Sequence, residues 1–155
     1  MKVNSKEPRV KTPKKETMKY ILPLVAALVL FSCKTVEIVE YQYRSSTMLG
    51  TRTITVTQDS VVTNYNGRSE STHTARATSA EEWLELKASV KNVKLNDIRT
   101  LEAPSNKRST DASPYGSVML STKDSTYQSA SFDGYVSHSM LLPLMDAIKK
   151  ISNKN

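Results

Sequence analysis

The sequence predicts an α+β fold, in which an antiparallel β-sheet of about six strands carries two helices on one of its faces. Four short segments of alternating side-chain character lie between Val36 and Thr78. A helix with an apolar stripe follows them, and two further strands and a second helix complete the chain. Because a sheet of this kind buries one face only, both helices should cover that face, in the order ββββαββα.

The first four strands are predicted from the alternation of apolar and polar side chains, which is the period of a half-buried strand. Ile54 and Val56 lie on one face of the second segment, and threonines lie on the other. Asn66 and Gly67 predict a hairpin turn, since both residue types tolerate a positive φ angle. The fourth segment is polar enough to lie at a sheet edge. The four predicted ranges are 36–44, 51–57, 60–65 and 70–78.

A helix is predicted from Ser79 to about Val90, because Ser79 and Glu82 have the spacing of a capping box. A short helical turn at 95–101 and a loop over 104–114 should follow. On the helix, the residues expected to face the core are Trp83, Leu86 and Val90, and those expected to face solvent are Glu81, Glu82 and Glu85.

The second half of the chain predicts two paired strands, at 116–122 and 125–132, followed by a helix. This helix should begin near Ser139, with Pro143 in its first turn, where a missing N–H group costs little. Its apolar stripe, spaced as on one helix face, consists of Leu141, Leu144, Met145 and Ile148.

Residues 18–32 have the three parts of a secretory signal peptide. Lys19 supplies a positive charge near the start, residues 20–31 form a short apolar run, and the small residue Ser32 ends it. The run is too short for a transmembrane helix, which needs about 20 residues. Residues 1–17 are polar and basic, so they are either an extended positive region or lie upstream of the true start at Met18, which is the interpretation we favour.

Leu30, Phe31 and Ser32 precede Cys33, which is the single cysteine of the chain. These four residues resemble a lipobox, the motif cleaved by lipoprotein signal peptidase, although Phe31 is larger than the usual residue there. The resemblance implies that the Cys33 thiolate accepts a diacylglyceryl group and that residues 33–35 become a lipidated tether to the membrane. Lys34 matches neither the inner-membrane retention signal nor the acidic export signal of such proteins. We therefore expect an outer-membrane location that faces the periplasm.

The net charge of +7 does not indicate nucleic-acid binding. Seven of the 22 basic residues but only two of the 15 acidic residues precede Cys33, so the chain from Cys33 onward is nearly balanced in charge. A single cysteine also leaves no internal disulfide, and the core must hold the fold alone. Residues 36–155 are long enough for one such domain, which we expect to be a monomer.

Neither a metal site nor a cofactor site is predicted. His73 and His138 are the only histidines, and no cysteine or acidic residue lies at a recognisable ligand spacing from either. Asp111 and Asp133 could converge at one end of the sheet, but acids in such loops usually form turns. Nucleophile, phosphate-binding and dinucleotide-binding motifs are absent, so we predict a protein without enzymatic activity.

Tyr115, Tyr127 and Tyr135 lie near one another in the sequence, beside the polar loop. Exposed tyrosines are frequent in binding surfaces, so these three are the candidate binding surface, with core packing as the alternative. The anchor and the absence of catalytic motifs favour a binding or envelope-assembly module whose partner is an envelope protein or a glycan. The alternatives are a hydrolase of envelope material and an inhibitor of an incoming enzyme.

Residues 36–151 resemble, in their plan, the small uncharacterised α+β domains carried by many Gram-negative lipoproteins. The resemblance rests on the strand meander, the capped helix, the Phe132-Asp133-Gly134 segment and the spacing of Leu144 and Ile148. These are features of the fold, so the resemblance implies an architecture and assigns no catalytic residue.

Overall fold

Seven antiparallel strands form one sheet in the computed structural model, which describes residues 36–154. The predicted signal peptide and Cys33 lie outside the described residues. The strands are β1 Ile38–Thr47, β2 Gly50–Thr57, β3 Ser60–Gly67, β4 Ser71–Ala77, β5 Tyr115–Thr122, β6 Thr126–Gln128 and β7 Phe132–Asp133. Their order across the sheet is β4-β3-β2-β1-β5-β6, and β7 pairs with the start of β5.

The predicted α+β class with an antiparallel sheet and two α-helices is confirmed, but the prediction of six strands is wrong. The single strand expected over 125–132 is two short strands, β6 and β7, with Ser129 between them. The Ser129 hydroxyl accepts a hydrogen bond from the Val118 N–H at 3.0 Å and donates one to the Ala130 carbonyl at 2.8 Å. Because a side chain replaces a backbone acceptor here, the regular ladder is interrupted.

Two α-helices, α1 Ala80–Ser89 and α2 Leu142–Ser152, accompany the sheet. The capping box of α1 is confirmed, with the Ser79 hydroxyl accepting from the Glu82 N–H at 3.2 Å. A short 3₁₀-helix, Ser139–Leu141, leads into α2 and accounts for the predicted start near Ser139. Two more 3₁₀-helices lie between α1 and β5, at Leu95–Thr100, where a helical turn was expected, and at Lys107–Thr110, inside the predicted loop.

The face of the sheet that carries Tyr41, Tyr43, Ile54, Val56 and Val118 is its inner face, and all five side chains are buried. They form one core cluster with apolar side chains of both helices. The residues between them in the strands point to the opposite face and remain partly or fully exposed. One buried face and one wet face is the arrangement predicted from the alternating sequence.

The helix α1 presents a different set of residues to the core than the sequence predicted. Leu86 and Val90 are buried as expected, and Trp83 is half-buried, with its ring edge-on to Tyr41 at a centroid distance of 5.4 Å. The predicted solvent exposure of Glu82 is wrong, since it is only 4% exposed. Its carboxylate is buried because it pairs with Arg76 of β4. No helix within residues 36–154 is long and apolar enough to cross a membrane.

Candidate functional site

The inner face of the sheet changes from buried to solvent-accessible two residues beyond Tyr43 on β1. Tyr43 pairs with Ile54 of β2, and both are buried. The next inner-face position on β1 is Ser45, which pairs with the exposed Arg52, and Arg52 in turn pairs with Tyr65. The sheet therefore continues past its own core, and its inner face opens to solvent where the β1–β2 and β3–β4 connections lie.

This open part of the inner face forms a basin of about 390 Å³, which we call the hairpin-end basin. Its size falls within the range of small-molecule sites, although it is open rather than enclosed. On the β5 side the inner face is closed, because Gly116 lies against the Phe132 ring and the Gly134 carbonyl. The basin is lined by Ser45, Thr47, Gly50, Arg52, Tyr65, Glu70 and Thr72.

The floor of the basin is an aromatic ring supported by two glycines. Gly50 and Gly67 face each other across β2 and β3. A Cβ atom added to Gly67 would lie 2.7 Å from the Tyr65 ring, and one added to Gly50 would lie 3.0 Å from the Tyr65 hydroxyl oxygen. The ring therefore lies along the strand, over the space that the glycines leave empty. Aromatic cover of this kind compensates for glycine in a sheet.

Among the described residues, Arg52 is the only cation that lines the basin, and its guanidinium makes no hydrogen bond or ion pair with them. The nearby Tyr43 hydroxyl donates to the Gly134 carbonyl at 2.8 Å, and it forms no hydrogen bond with Arg52. Burial raises the pKa of Tyr43 to about 12, against smaller opposing effects of Ser45 and Arg52. The phenol therefore stays neutral at physiological pH and does not neutralise the Arg52 charge.

A second concavity, which we call the tip notch, lies at the same end of the sheet and has a volume of about 530 Å³. It lies between the β1–β2 turn and the segment that enters β5. Three large apolar side chains at the notch are exposed: Met48 by 74%, Leu49 by 69% and Tyr115 by 47%. Contiguous exposed apolar side chains of this kind mark interaction surfaces.

The three tyrosines predicted as a binding surface occupy different places. Tyr115 begins β5 and pairs with Ser46, which lies on the outer face next to the inner-face residue Ser45. Tyr127 pairs with the buried Leu120, five residues further along β5, and packs against the core. Tyr135 is half-buried and stacks on Tyr43 at a centroid distance of 4.6 Å. The fold does not bring the three together, and Tyr115 is the exposed one.

The Asp133 carboxylate is buried and fully engaged in hydrogen bonds. It accepts from the Ser105 hydroxyl at 2.6 Å, from the Lys107 and Arg108 N–H groups at 2.8 and 3.0 Å, and from the Arg108 guanidinium at 3.0 Å. Burial alone would raise the pKa of Asp133, but these donors outweigh burial and hold it well below its ordinary value. Asp133 therefore secures the 104–110 segment and has no proton to donate at neutral pH.

The other acid–base candidates are also placed apart. Asp111 follows the 3₁₀-helix Lys107–Thr110 with a φ angle of +57°, whereas Asp133 binds N–H groups at the start of the same helix. His138 accepts from the Met140 N–H through Nδ1 at 3.2 Å, and His73 bonds to Asn64 on the exposed surface of β4. Among residues 36–154, no group of three His, Cys, Asp or Glu side chains is placed to hold a metal ion.

Sequence reasoning missed both concavities. Tyr65, Gly50 and Gly67 are separated in the chain, and their meeting depends on the pairing register of β2 with β3. The Asn66–Gly67 pair in this region predicted a turn, but β3 continues through Gly67 and the chain reverses over residues 68–70.

No protein-family model matches the chain, and no curated protein matches it significantly.

Proposed function

We propose that this chain is a lipid-anchored binding module, without catalytic activity, whose ligand-binding surface is the end of the sheet formed by the hairpin-end basin and the tip notch. The observation that carries the proposal is the uncovered inner face beyond Tyr43, where polar and aromatic side chains lie open beside exposed apolar ones. A few polar groups beside apolar and aromatic surface are the usual composition of a recognition site.

The direction of β1 supports this placement. The chain enters β1 at Ile38, five residues after Cys33, and reaches the basin and the notch at Thr47. A strand of ten residues spans roughly 30 Å, at about 3.3 Å per residue. The first strand therefore begins at the end of the sheet opposite both concavities. A connection to the preceding residues at that end of β1 supports a binding surface that is free to meet a partner.

The proposed absence of enzymatic activity is supported by the ionised state of the buried acidic side chains. Glu82 and Asp133 are the buried carboxylates of the described chain, and both have a pKa below their ordinary values because they are hydrogen-bonded as anions. A general acid needs the opposite shift. This argues against the hydrolase alternative, as do the hydrogen-bond partners of His73 and His138, which are the Asn64 side chain and the Met140 N–H.

The proposal includes the cellular location of the protein. We propose attachment to the outer membrane, on the periplasmic side, because Cys33 is followed by Lys34 rather than by an acidic residue. In that compartment the partner would be an envelope protein or a glycan. The near-balanced charge of the chain from Cys33 onward gives no support to nucleic acid as a partner.

A sedimentation experiment tests the proposal. The full chain, solubilised in a polyoxyethylene detergent, is incubated with purified cell-wall sacculi and, separately, with reconstituted outer-membrane proteins. We expect it to bind one of these two fractions. Leu49→Ser should weaken that binding, whereas Leu84→Ser, which changes a leucine of α1 with 63% exposure, should not. Equal binding by both variants would place the contact elsewhere and contradict the proposal.

The inhibitor alternative keeps one specific observation in its favour. The β1–β2 turn projects two large apolar side chains, Met48 and Leu49, into solvent at a tight connection between long strands. A rigid protruding loop with an apolar tip is suited to enter the active site of another enzyme. Inhibition of an envelope hydrolase that is lost in Leu49→Ser would favour this reading over simple adhesion.

A further inference from the structure

We infer that the hairpin-end basin binds a saccharide that carries a carboxylate, with its ring on Tyr65 and its carboxylate on Arg52. This inference rests on the proposed function and gives the basin a ligand class. Two features of the basin specify that class: an aromatic ring held flat on the sheet and an unpaired guanidinium on the neighbouring strand.

The Tyr65 ring is a platform that is half-exposed and cannot sink further into the sheet. A Cβ atom on Gly67 would overlap the ring and one on Gly50 would touch its hydroxyl, so the ring occupies the space over the two glycines and also lines the basin. The face of an aromatic ring carries partial negative charge and attracts groups of opposite polarity. The C–H groups on one side of a pyranose ring are such groups, and they form a flat patch of matching size.

Arg52 lies beside Tyr65 in the sheet, since the two residues are register partners on β2 and β3. Within residues 36–154 its guanidinium makes no ion pair and no hydrogen bond. A guanidinium presents paired N–H donors that match the two oxygens of a carboxylate. The Arg52 guanidinium therefore favours a ligand with an acidic group next to the stacked ring.

The rim of the basin offers groups that suit sugar hydroxyls. The Thr72 hydroxyl and the Glu70 carboxylate line it, and neither side chain makes a hydrogen bond to the rest of the described chain. Thr72 is the register partner of Tyr65, so its hydroxyl lies on the same face as the ring. A hydroxyl that both donates and accepts, and a carboxylate that accepts, both fit the hydroxyl groups of a saccharide.

An acidic peptide fits the same observations less well. Extended peptides usually bind to a sheet edge through main-chain hydrogen bonds, and the basin lies on a face of the sheet. A peptide carboxylate would pair with Arg52 but would make no use of the flat Tyr65 ring. The peptide is therefore an outcome that the experiment must separate.

Isothermal titration of the full chain, in a polyoxyethylene detergent free of sugar, tests the inference with three probes. The probes are tetragalacturonate, the neutral maltotetraose and the acidic peptide tetraglutamate. We expect tetragalacturonate to bind roughly tenfold more tightly than either of the others, because it alone supplies both the ring and the carboxylate. Its binding should weaken as salt rises, since the contact with Arg52 is partly exposed.

Matched variants assign the binding to the two side chains. Arg52→Gln and Tyr65→Leu should each weaken tetragalacturonate binding by about tenfold, and Tyr65→Phe should retain it because the ring remains. Leucine keeps an apolar cover over the two glycines, so Tyr65→Leu should stay folded, which its melting temperature verifies. Arg44→Gln, which changes a cation on the outer face of β1, should leave the affinity unchanged.

Three results would overturn the inference: equal affinity for maltotetraose, equal affinity for tetraglutamate, or full affinity in folded Tyr65→Leu. The first would remove the role of Arg52, the second would make the basin a site for acidic peptides, and the third would remove the stacked ring. If envelope binding still depended on Leu49 in these cases, the proposed binding function would stand and only the saccharide assignment would fail.

Discussion

Arg76 on β4 and Glu82 on α1 form a two-point ion pair, with nitrogen–oxygen distances of 2.9 and 3.0 Å. The same guanidinium donates to the Ile151 carbonyl at the end of α2, at 3.2 Å. Glu82 also accepts from the Ser79 N–H at 3.1 Å, and Lys154 lies 3.2 Å from it. The carboxylate that caps α1 therefore also joins both helices to the edge strand of the sheet.

This ion pair predicts that stability falls in acid. The hydrogen bonds from Arg76 lower the pKa of Glu82 from 4.5 to about 2, and the Ser79 N–H and Lys154 add to them against the opposing effect of burial. A lowered pKa in the folded state contributes stability that is fully present above the unfolded value and is lost between pH 4.5 and about 2. Urea unfolding at a series of pH values should show this loss.

Glu82→Gln should reduce the free energy of unfolding at pH 7 by about 1 to 3 kcal/mol, because it removes the carboxylate that forms two charged hydrogen bonds with Arg76. It should also flatten the pH dependence between 4.5 and 2. Glu85→Gln is the control, since its solvent-exposed pair with Lys150 should contribute much less to stability. Equal losses in both variants would mean that the pair with Arg76 has no special role.

We expect the Asp133 carboxylate to protect the segment around Lys107 and Arg108 from proteolysis. Asp133 binds the N–H groups of Lys107 and Arg108, which are trypsin cleavage residues in the predicted loop. Asp133→Asn should release this segment and increase its rate of trypsin cleavage by about tenfold or more, because a neutral amide is a weaker acceptor and cannot pair with Arg108.

The matched control for this prediction is Asp111→Asn at the other end of the same 3₁₀-helix. Asp111 has a φ angle of +57°, a conformation that asparagine also tolerates. Mass spectrometry of early digestion products should show cleavage after Lys107 or Arg108 only in Asp133→Asn. Rapid cleavage there in the unchanged protein would show that the hydrogen bonds of Asp133 do not hold the loop.

Trp83 predicts a moderate loss of stability on truncation. The ring packs edge-on against Tyr41 but is only half-buried, so Trp83→Ala should cost about 2 to 3 kcal/mol rather than the 3 to 5 kcal/mol of a fully buried aromatic residue. Leu86→Ala, at the buried position of the same helix, should cost at least as much. Urea unfolding provides both values, and an unchanged Trp83→Ala would place the ring outside the core.

The predicted lipid anchor depends on the thiol of Cys33. Cys33→Ala should abolish the incorporation of labelled fatty acid in a Gram-negative host and leave the precursor unprocessed, because the acceptor thiolate is gone. A chain that begins at Met18 should be labelled as well as the full chain. Continued labelling of Cys33→Ala would refute the lipoprotein interpretation, and failure of the shorter chain would show that residues 1–17 are needed for export.

The local elements of the fold were predictable because their signals lie within a few residues of one another. The capping box needs only Ser79 and Glu82, three residues apart, and the alternation around Ile54 and Val56 needs only one strand. The polar sequence of the fourth segment placed β4 at the sheet edge, as observed. In each case the deciding interaction connects neighbours in the chain, so the residue pattern contains it.

The roles of particular side chains depended on the tertiary structure. From the sequence, Glu82 is a solvent-facing residue of α1, and only the fold brings Arg76 and the end of α2 against it. Likewise, Asp133 fixes the segment 105–108 only because the fold places that segment over its carboxylate. The basin requires Gly50, Gly67 and Tyr65 to meet through the register of β2 with β3. Helical spacing placed Trp83 on the core side, but its actual depth depends on where the helix lies over the sheet. The burial and the hydrogen-bond partners of these side chains depend on groups that are distant in the sequence. These contacts contribute to stability only once the folded chain has brought the groups together.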